Sequence, residues 1–152
     1  MISRRYALAA ISFLPVLSAC ASNSVTSSTE TVPLPKNIEI TLMPPASDVP
    51  PSIAAFAGKW NGVWGNTVPS NLYVEKISAD GTAQVVYAWY DPWVVRGGAT
   101  RYADGRISNG VLTIGNARVT FEYRMLKDGR LEGQRYVAGD TNFPIIMTKA
   151  KT

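Results

Sequence analysis

The chain has 152 residues, enough for one domain, with 15 Lys and Arg against 11 Asp and Glu and no histidine. Arg4 and Arg5 belong to an export signal described below; without them the balance is near +2, and the remaining basic residues are scattered, which excludes a nucleic-acid footprint. The lack of histidine removes most zinc and haem sites and every Ser-His or Cys-His catalytic pair, and the single cysteine excludes a disulfide within the chain.

Residues 1–19 read as a lipoprotein signal peptide. Arg4 and Arg5 give a positive start, and Tyr6 to Val16 form an apolar run too short to span a bilayer permanently. Leu17-Ser18-Ala19-Cys20 then resembles the lipobox of bacterial lipoproteins. The resemblance implies cleavage before Cys20, alkylation of its thiol by a diacylglycerol, and triacylation of the palmitate-bearing kind, with several acyl chains anchoring the protein firmly. Ala21 stands where aspartate would signal retention, which by the same resemblance implies the outer membrane of a bacterial envelope, with the protein facing the periplasm.

Residues 20–55 follow as a linker rich in Ser, Thr and Pro, carrying six of the ten prolines. Such a segment buries too little apolar surface to fold alone, and a spacer of this length spans roughly 30–35 Å as a coil or about 100 Å as polyproline II. Within it, Ile38, Ile40 and Leu42 alternate with polar neighbours at strand period. Two readings stay open there: a mildly apolar linker, or an extra strand laid on the domain or on a partner.

From Phe56 to Thr152, short alternating runs are separated by turn residues, the pattern of an all-β sandwich or barrel. The expected strands are Gly58–Trp64, Asn71–Ile77, Thr82–Tyr90, Ala99–Ile107 (with a candidate break at Asp104-Gly105), Val111–Ile114, Arg118–Arg124, Arg130–Tyr136 and Phe143–Lys149. Asp80-Gly81, Asn109-Gly110 and Asp128-Gly129 supply the Asx-Gly pairs of tight hairpins. Eight hairpin-linked strands predict a single small antiparallel up-and-down barrel, since closure removes exposed edges. The short loops alternate with longer ones, so one end is tightly laced and the other forms a mouth. Strand 1 starts at the laced end, which predicts a stalk attached opposite the mouth and a mouth facing away from the membrane.

The opening strand, Gly58-Lys59-Trp60-Asn61-Gly62-Val63-Trp64, resembles the Gly-x-Trp signature of lipocalin and wider calycin barrels. The runs Leu72–Ile77, Val85–Trp89 and Leu112–Asn116 resemble a small lipocalin-like domain of proteobacterial exported proteins. The resemblance covers most of Phe56–Lys149 and implies that Gly58 and Trp60 plug the closed end. It also implies a basic side chain against the tryptophan, for which Arg135 and Lys149 are the candidates and Arg135 the one assigned. The chain departs from true lipocalins in being shorter and in lacking the helix after the barrel and the disulfide, so the likeness concerns architecture more than ligand class.

Aromatic residues dominate the candidate chemistry. Trp60 and Trp64 share a strand face, as do Val85, Tyr87 and Trp89, and as do Phe121 and Tyr123. Either these rings line a pocket that stacks on a flat apolar or sugar ring, or they fill the core of a narrow barrel. The loop Asp91-Pro92-Trp93 to Gly98 places apolar residues in a surface loop, as a lid or as a cap over the mouth. Trp64, Tyr87, Trp89, Trp93 and Arg96 are therefore the expected ligand contacts. No pair of facing acids for glycoside cleavage and no ligand spacing for a metal is legible, so neither catalytic residue, metal nor cofactor is expected. Two functions remain: a membrane-anchored barrel binding a small apolar or amphipathic ligand at its open end, or a filled barrel acting as a protein- or glycan-interaction module of the envelope, for example a hydrolase inhibitor.

Overall fold

The computed structural model describes residues 32–137 and 144–151. The signal segment, Cys20 and the loop before the last strand, with Phe143, the expected start of that strand, lie outside them. Eight strands follow in chain order: β1 Gly58–Trp64, β2 Val68–Ile77, β3 Thr82–Asp91, β4 Arg96–Ser108, β5 Val111–Gly115, β6 Val119–Met125, β7 Leu131–Val137 and β8 Pro144–Lys149. Each pairs antiparallel with the next, and β8 pairs back onto β1 through Trp60↔Lys149, Asn61↔Thr148 and Gly62↔Met147, closing the barrel. The expected all-β up-and-down barrel is therefore the observed fold, an architecture consistent with a lipocalin-like one.

Alternation decides which side chains face inward. Trp60 and Trp64 of β1, Leu72 and Val74 of β2, Val85 and Tyr87 of β3, and Phe121 and Tyr123 of β6 all join one buried cluster. Hairpin chemistry sets the register: Asn109 and Gly110 both have positive φ, 52° and 73°, as a two-residue turn between β4 and β5 requires. Two irregularities re-aim the pattern. An extra residue in β2, Glu75, sits between Val74↔Val85 and Lys76↔Gln84. A second bulge lies in β4, between Ala83↔Gly105 and Val85↔Tyr102. The suspected break at Asp104-Gly105 is thus a bulge within one continuous strand, which bends the wall without ending it.

The closed end carries the plug. A single helical turn, α1 (Pro51–Ala54), and Phe56 seat themselves under the barrel, with Phe56 and Trp60 nearly inaccessible at 0% and 1% exposure. Trp60 Nε1 donates to the Phe56 carbonyl at 2.8 Å. The cation over its ring is Lys149, whose Nζ lies 5.2 Å from the centroid and donates to the Ala55 carbonyl at 3.1 Å. Arg135, the residue assigned to that role from sequence, lies on the wall of the cavity described below instead. Strand parity admitted both; Lys149 wins because the β1–β8 ladder sets it directly opposite Trp60. Gly58 has φ 107°, and a Cβ there would meet Lys149 Cε at 3.3 Å, so glycine serves both the turn into β1 and the seat of the lysine.

Residues 32–49 pack on the barrel rather than standing off it. Val32, Leu34, Ile38 and Ile40 cover an outer patch formed by Tyr73, Val86, Ala88, Tyr90 and Ala99. They form no ladder, so the Ile38–Leu42 alternation makes an apolar strap across a sheet face rather than a ninth strand. The bulge at Glu75 fastens it: Thr41 N donates to Glu75 Oε1 at 2.9 Å and Met43 N to the Glu75 carbonyl at 2.7 Å. Arg101 Nη2 contacts the same carboxylate oxygen at 3.2 Å and also donates to the Glu39 carbonyl. Glu75 is 5% exposed, so this buried carboxylate is neutralised and hydrogen-bonded where it lies.

The strap stands between the stalk and the start of β1. β1 does start at the closed end, but the chain before it runs back up the outer face of β2 and β3. Residues 41–43 bond at Glu75, while the patch covered by residues 32–40 extends to Tyr90 and Ala99, near the β3–β4 tip. A turn at Pro35–Ile38, closed by Ile38 N donating to the Pro35 carbonyl at 3.0 Å, then reverses the chain, and Val32 packs back onto the same outer face. The physical reason is that an outer face bearing Tyr73, Val86 and Ala88 is itself apolar and takes the alternating side chains of the strap.

Candidate functional site

The mouth half of the barrel encloses a cavity of about 700 Å³. Its wall includes Trp64 from β1, Tyr87 and Trp89 from β3, Thr100 and Tyr102 from β4, Phe121 from β6 and Arg135 from β7, with Gly65, Thr67 and Asp91 toward the rim. The aromatic side chains form a connected group: Tyr87 and Phe121 have ring centroids 4.6 Å apart, and Trp64 and Phe121 6.1 Å. The closed half is different. Leu72, Val74, Val85, Leu112, Ile114, Ile145 and Met147 fill it with at most 2% exposure each. The two readings of the aromatics thus divide along the barrel axis, packed core below and open pocket above.

One gap in the wall widens the mouth. The β4–β5 ladder holds only Arg106, Ile107 and Ser108 of β4. The mouthward part of β4, from Arg96, has ladder partners on β3 alone among the described residues. Thr100 consequently lines the cavity while staying exposed.

The polar groups on the wall are few. Ser70 Oγ and Tyr87 OH share a hydrogen bond of 3.3 Å. Burial raises the pKa of the Tyr87 hydroxyl above its ordinary value, against smaller opposing effects of the Ser70 bond and the positive charge of Arg135. Burial likewise raises Tyr102, against a hydrogen bond from Thr100, and it places fully buried Tyr123 well above the usual tyrosine value. All three phenols are therefore neutral at physiological pH. Trp64 is 7% exposed, and its indole N–H faces the Tyr87 hydroxyl, where it too opposes the rise in that group's pKa. Tyr123 OH is buried below the cavity without a partner among the described residues, which costs about 1–3 kcal/mol.

The structure brings together three of the five expected contact residues, Trp64, Tyr87 and Trp89. Trp93 and Arg96 lie outside the lining: Trp93 is 79% exposed at the tip of the β3–β4 hairpin, with its N–H bonded to Asp91 Oδ1 at 3.0 Å, and Arg96 is exposed at the start of β4. Sequence reasoning missed Tyr102 and Thr100 because the β4 bulge breaks the alternation; Tyr102 faces inward before it, and Gly105 and Ile107 after it. Read as separate short runs, Thr100 and Tyr102 alternate correctly with Ala99 and Arg101, which was the available signal. Neither a family model nor a curated protein matches the chain.

Proposed function

We propose that this protein is a lipid-anchored component of a bacterial envelope, held by acyl chains on Cys20, whose barrel binds rather than converts a small amphipathic molecule at its mouth. The observation that carries the binding half is the cavity of about 700 Å³, lined by Trp64, Tyr87, Trp89 and Phe121. Its size falls within the roughly 300–1,000 Å³ of small-molecule sites, and its character matches them: mostly apolar, with a few convergent polar groups. The connected rings of Trp64, Phe121 and Tyr87 favour a ligand with an apolar or ring-shaped body. The likeness to lipocalin-like barrels supports the same reading. The anchoring half rests on the charged, apolar and Leu17-Ser18-Ala19-Cys20 segments in order.

Three experiments test it. Native mass spectrometry of the delipidated protein from an envelope extract should show a retained small molecule, and an apolar fluorescent probe should bind the emptied barrel. Val119→Trp, on the cavity wall, should fill the mouth and weaken that probe at least about tenfold, because one large side chain displaces comparable ligand contact. Binding unchanged by Val119→Trp would place the probe elsewhere and reject the site. Radiolabelled palmitate should enter the wild-type chain and not Cys20→Ser; equal labelling would reject the anchor.

A further inference from the structure

The β3–β4 hairpin ends in Pro92-Trp93-Val94-Val95, and Trp93, Val94 and Val95 are 79%, 64% and 77% exposed. Three consecutive apolar residues in water form a patch that calls for an explanation, since scattered exposed residues are ordinary and contiguous ones are not. Backbone conformation sharpens the point. Val95 has φ 49°, the left-handed region that glycine and asparagine occupy easily and β-branched residues rarely do. Either of those residues would close the same turn with less strain. The tip thus holds an apolar side chain at a backbone cost, and strained residues of this kind cluster where a surface has work to do.

The anchor proposed above says what can meet this tip. The strap covers an outer patch that includes Tyr90 and Ala99, which flank the hairpin. Cys20 precedes Val32 by twelve residues, a length that reaches at most roughly 40 Å when extended. A lipid on Cys20 therefore holds the barrel, hairpin tip included, within reach of a bilayer. The residue types suit the interface: a tryptophan for the headgroup level, two valines for the acyl boundary, and Arg96 beside them for lipid phosphates. The tip alone buries too little to bind a membrane, but a tether raises its local concentration enough to populate a weak insertion.

We infer that the Trp93-Val94-Val95 tip inserts into the bilayer interface, so that the barrel mouth faces the membrane and the cavity opens at the lipid surface. This orientation rests on the anchor proposed above, and the test is built to separate the two. Cys20 is the single cysteine, so the mature chain can be coupled through it to a maleimide-headgroup lipid in phosphatidylethanolamine–phosphatidylglycerol vesicles, whether or not cells lipidate it. With brominated acyl chains in the vesicles and Trp89→Phe as the background, which removes the half-buried tryptophan of the mouth wall, tryptophan emission should be quenched, and Trp93→Phe should remove that quenching while leaving the buried Trp60 and Trp64 unaffected. Val94→Ser with Val95→Ser should weaken insertion at least about tenfold, since loss of even one of the two Val-sized apolar contacts brings about that factor. Val63→Ser, at an exposed valine on the outside of β1 away from the tip, should change nothing. Emission that bromine does not quench, quenching that survives in Trp93→Phe, or an equal loss with Val63→Ser would each overturn the inference. Failure of palmitate labelling in cells would remove the natural anchor and leave this result standing as a property of the tip.

Discussion

Replacing Trp60 by phenylalanine should destabilise the barrel without touching its cavity. Three losses add up. The Phe56 carbonyl loses the donor that now lies 2.8 Å away, an unsatisfied buried acceptor costing about 1–3 kcal/mol. The smaller ring leaves a void of roughly 40 Å³ in the closed-end core, costing about 1 kcal/mol. The interaction with Lys149, whose Nζ is 5.2 Å from the ring centroid, weakens by a fraction of its approximate 0.5–1 kcal/mol. Together these give about 2–4 kcal/mol, a large part of the approximate 5–15 kcal/mol that holds a domain of this size. The midpoint of thermal unfolding should fall by roughly 8–32 °C, at about 4–8 °C per kcal/mol. Urea denaturation followed by circular dichroism reads the change without relying on the tryptophan removed. A double-mutant cycle with Lys149→Met should show a coupling of about 0.5–1 kcal/mol between the two residues. Because the plug and the cavity occupy opposite ends, probe affinity measured well below the unfolding transition should stay within about twofold. A stability loss under about 0.5 kcal/mol, or a loss of probe binding in the folded variant, would refute the division of the barrel into a packed end and an open one.

Other expectations follow from single contacts. Glu75→Ala removes the acceptor for Thr41 N and the partner of Arg101, so residues 32–49 should lift away and become protease-sensitive while the barrel stays closed; unchanged cleavage would show that apolar contacts alone hold the strap. Gly133→Ala sets a Cβ 2.6 Å from Ile145 Cγ2 and 2.8 Å from the Tyr123 ring, an overpacking that should cost about 1–3 kcal/mol in denaturant titrations. Val95→Gly relieves the left-handed strain and should hold or raise stability by up to about 1 kcal/mol, although the apolar tip is shortened; a clear loss would mean that the turn is not strained. Stability should decline in alkali: Tyr87, Tyr102 and Tyr123 are raised by burial, so their contribution is complete below the ordinary tyrosine pKa of about 10 and is lost as pH rises from there through the folded-state values. A flat pH–stability curve above pH 10 would contradict that burial.

Local chemistry by itself determined the strands and how they join. Period-two alternation and the Asx-Gly turns are properties of neighbouring residues, and they placed β1 at Gly58–Trp64 and the other strands within a few residues of their observed bounds. The inward face of Trp64, Tyr87, Trp89 and Phe121 followed from the same parity, so the core of the candidate site was legible too. Tertiary structure decided whatever depends on which strand meets which. Two bulges shift parity part-way along β2 and β4, bringing Tyr102 into the cavity and turning Glu75 outward under the strap. Closure of β8 onto β1 chose Lys149 over Arg135 as the cation on Trp60. Packing across the outer face of β2 and β3 converted part of a proline-rich linker into a strap on the barrel wall. These outcomes escape a linear reading because burial belongs to surfaces assembled from distant segments: an apolar residue records that it will be covered, and only the closed sheet determines by what.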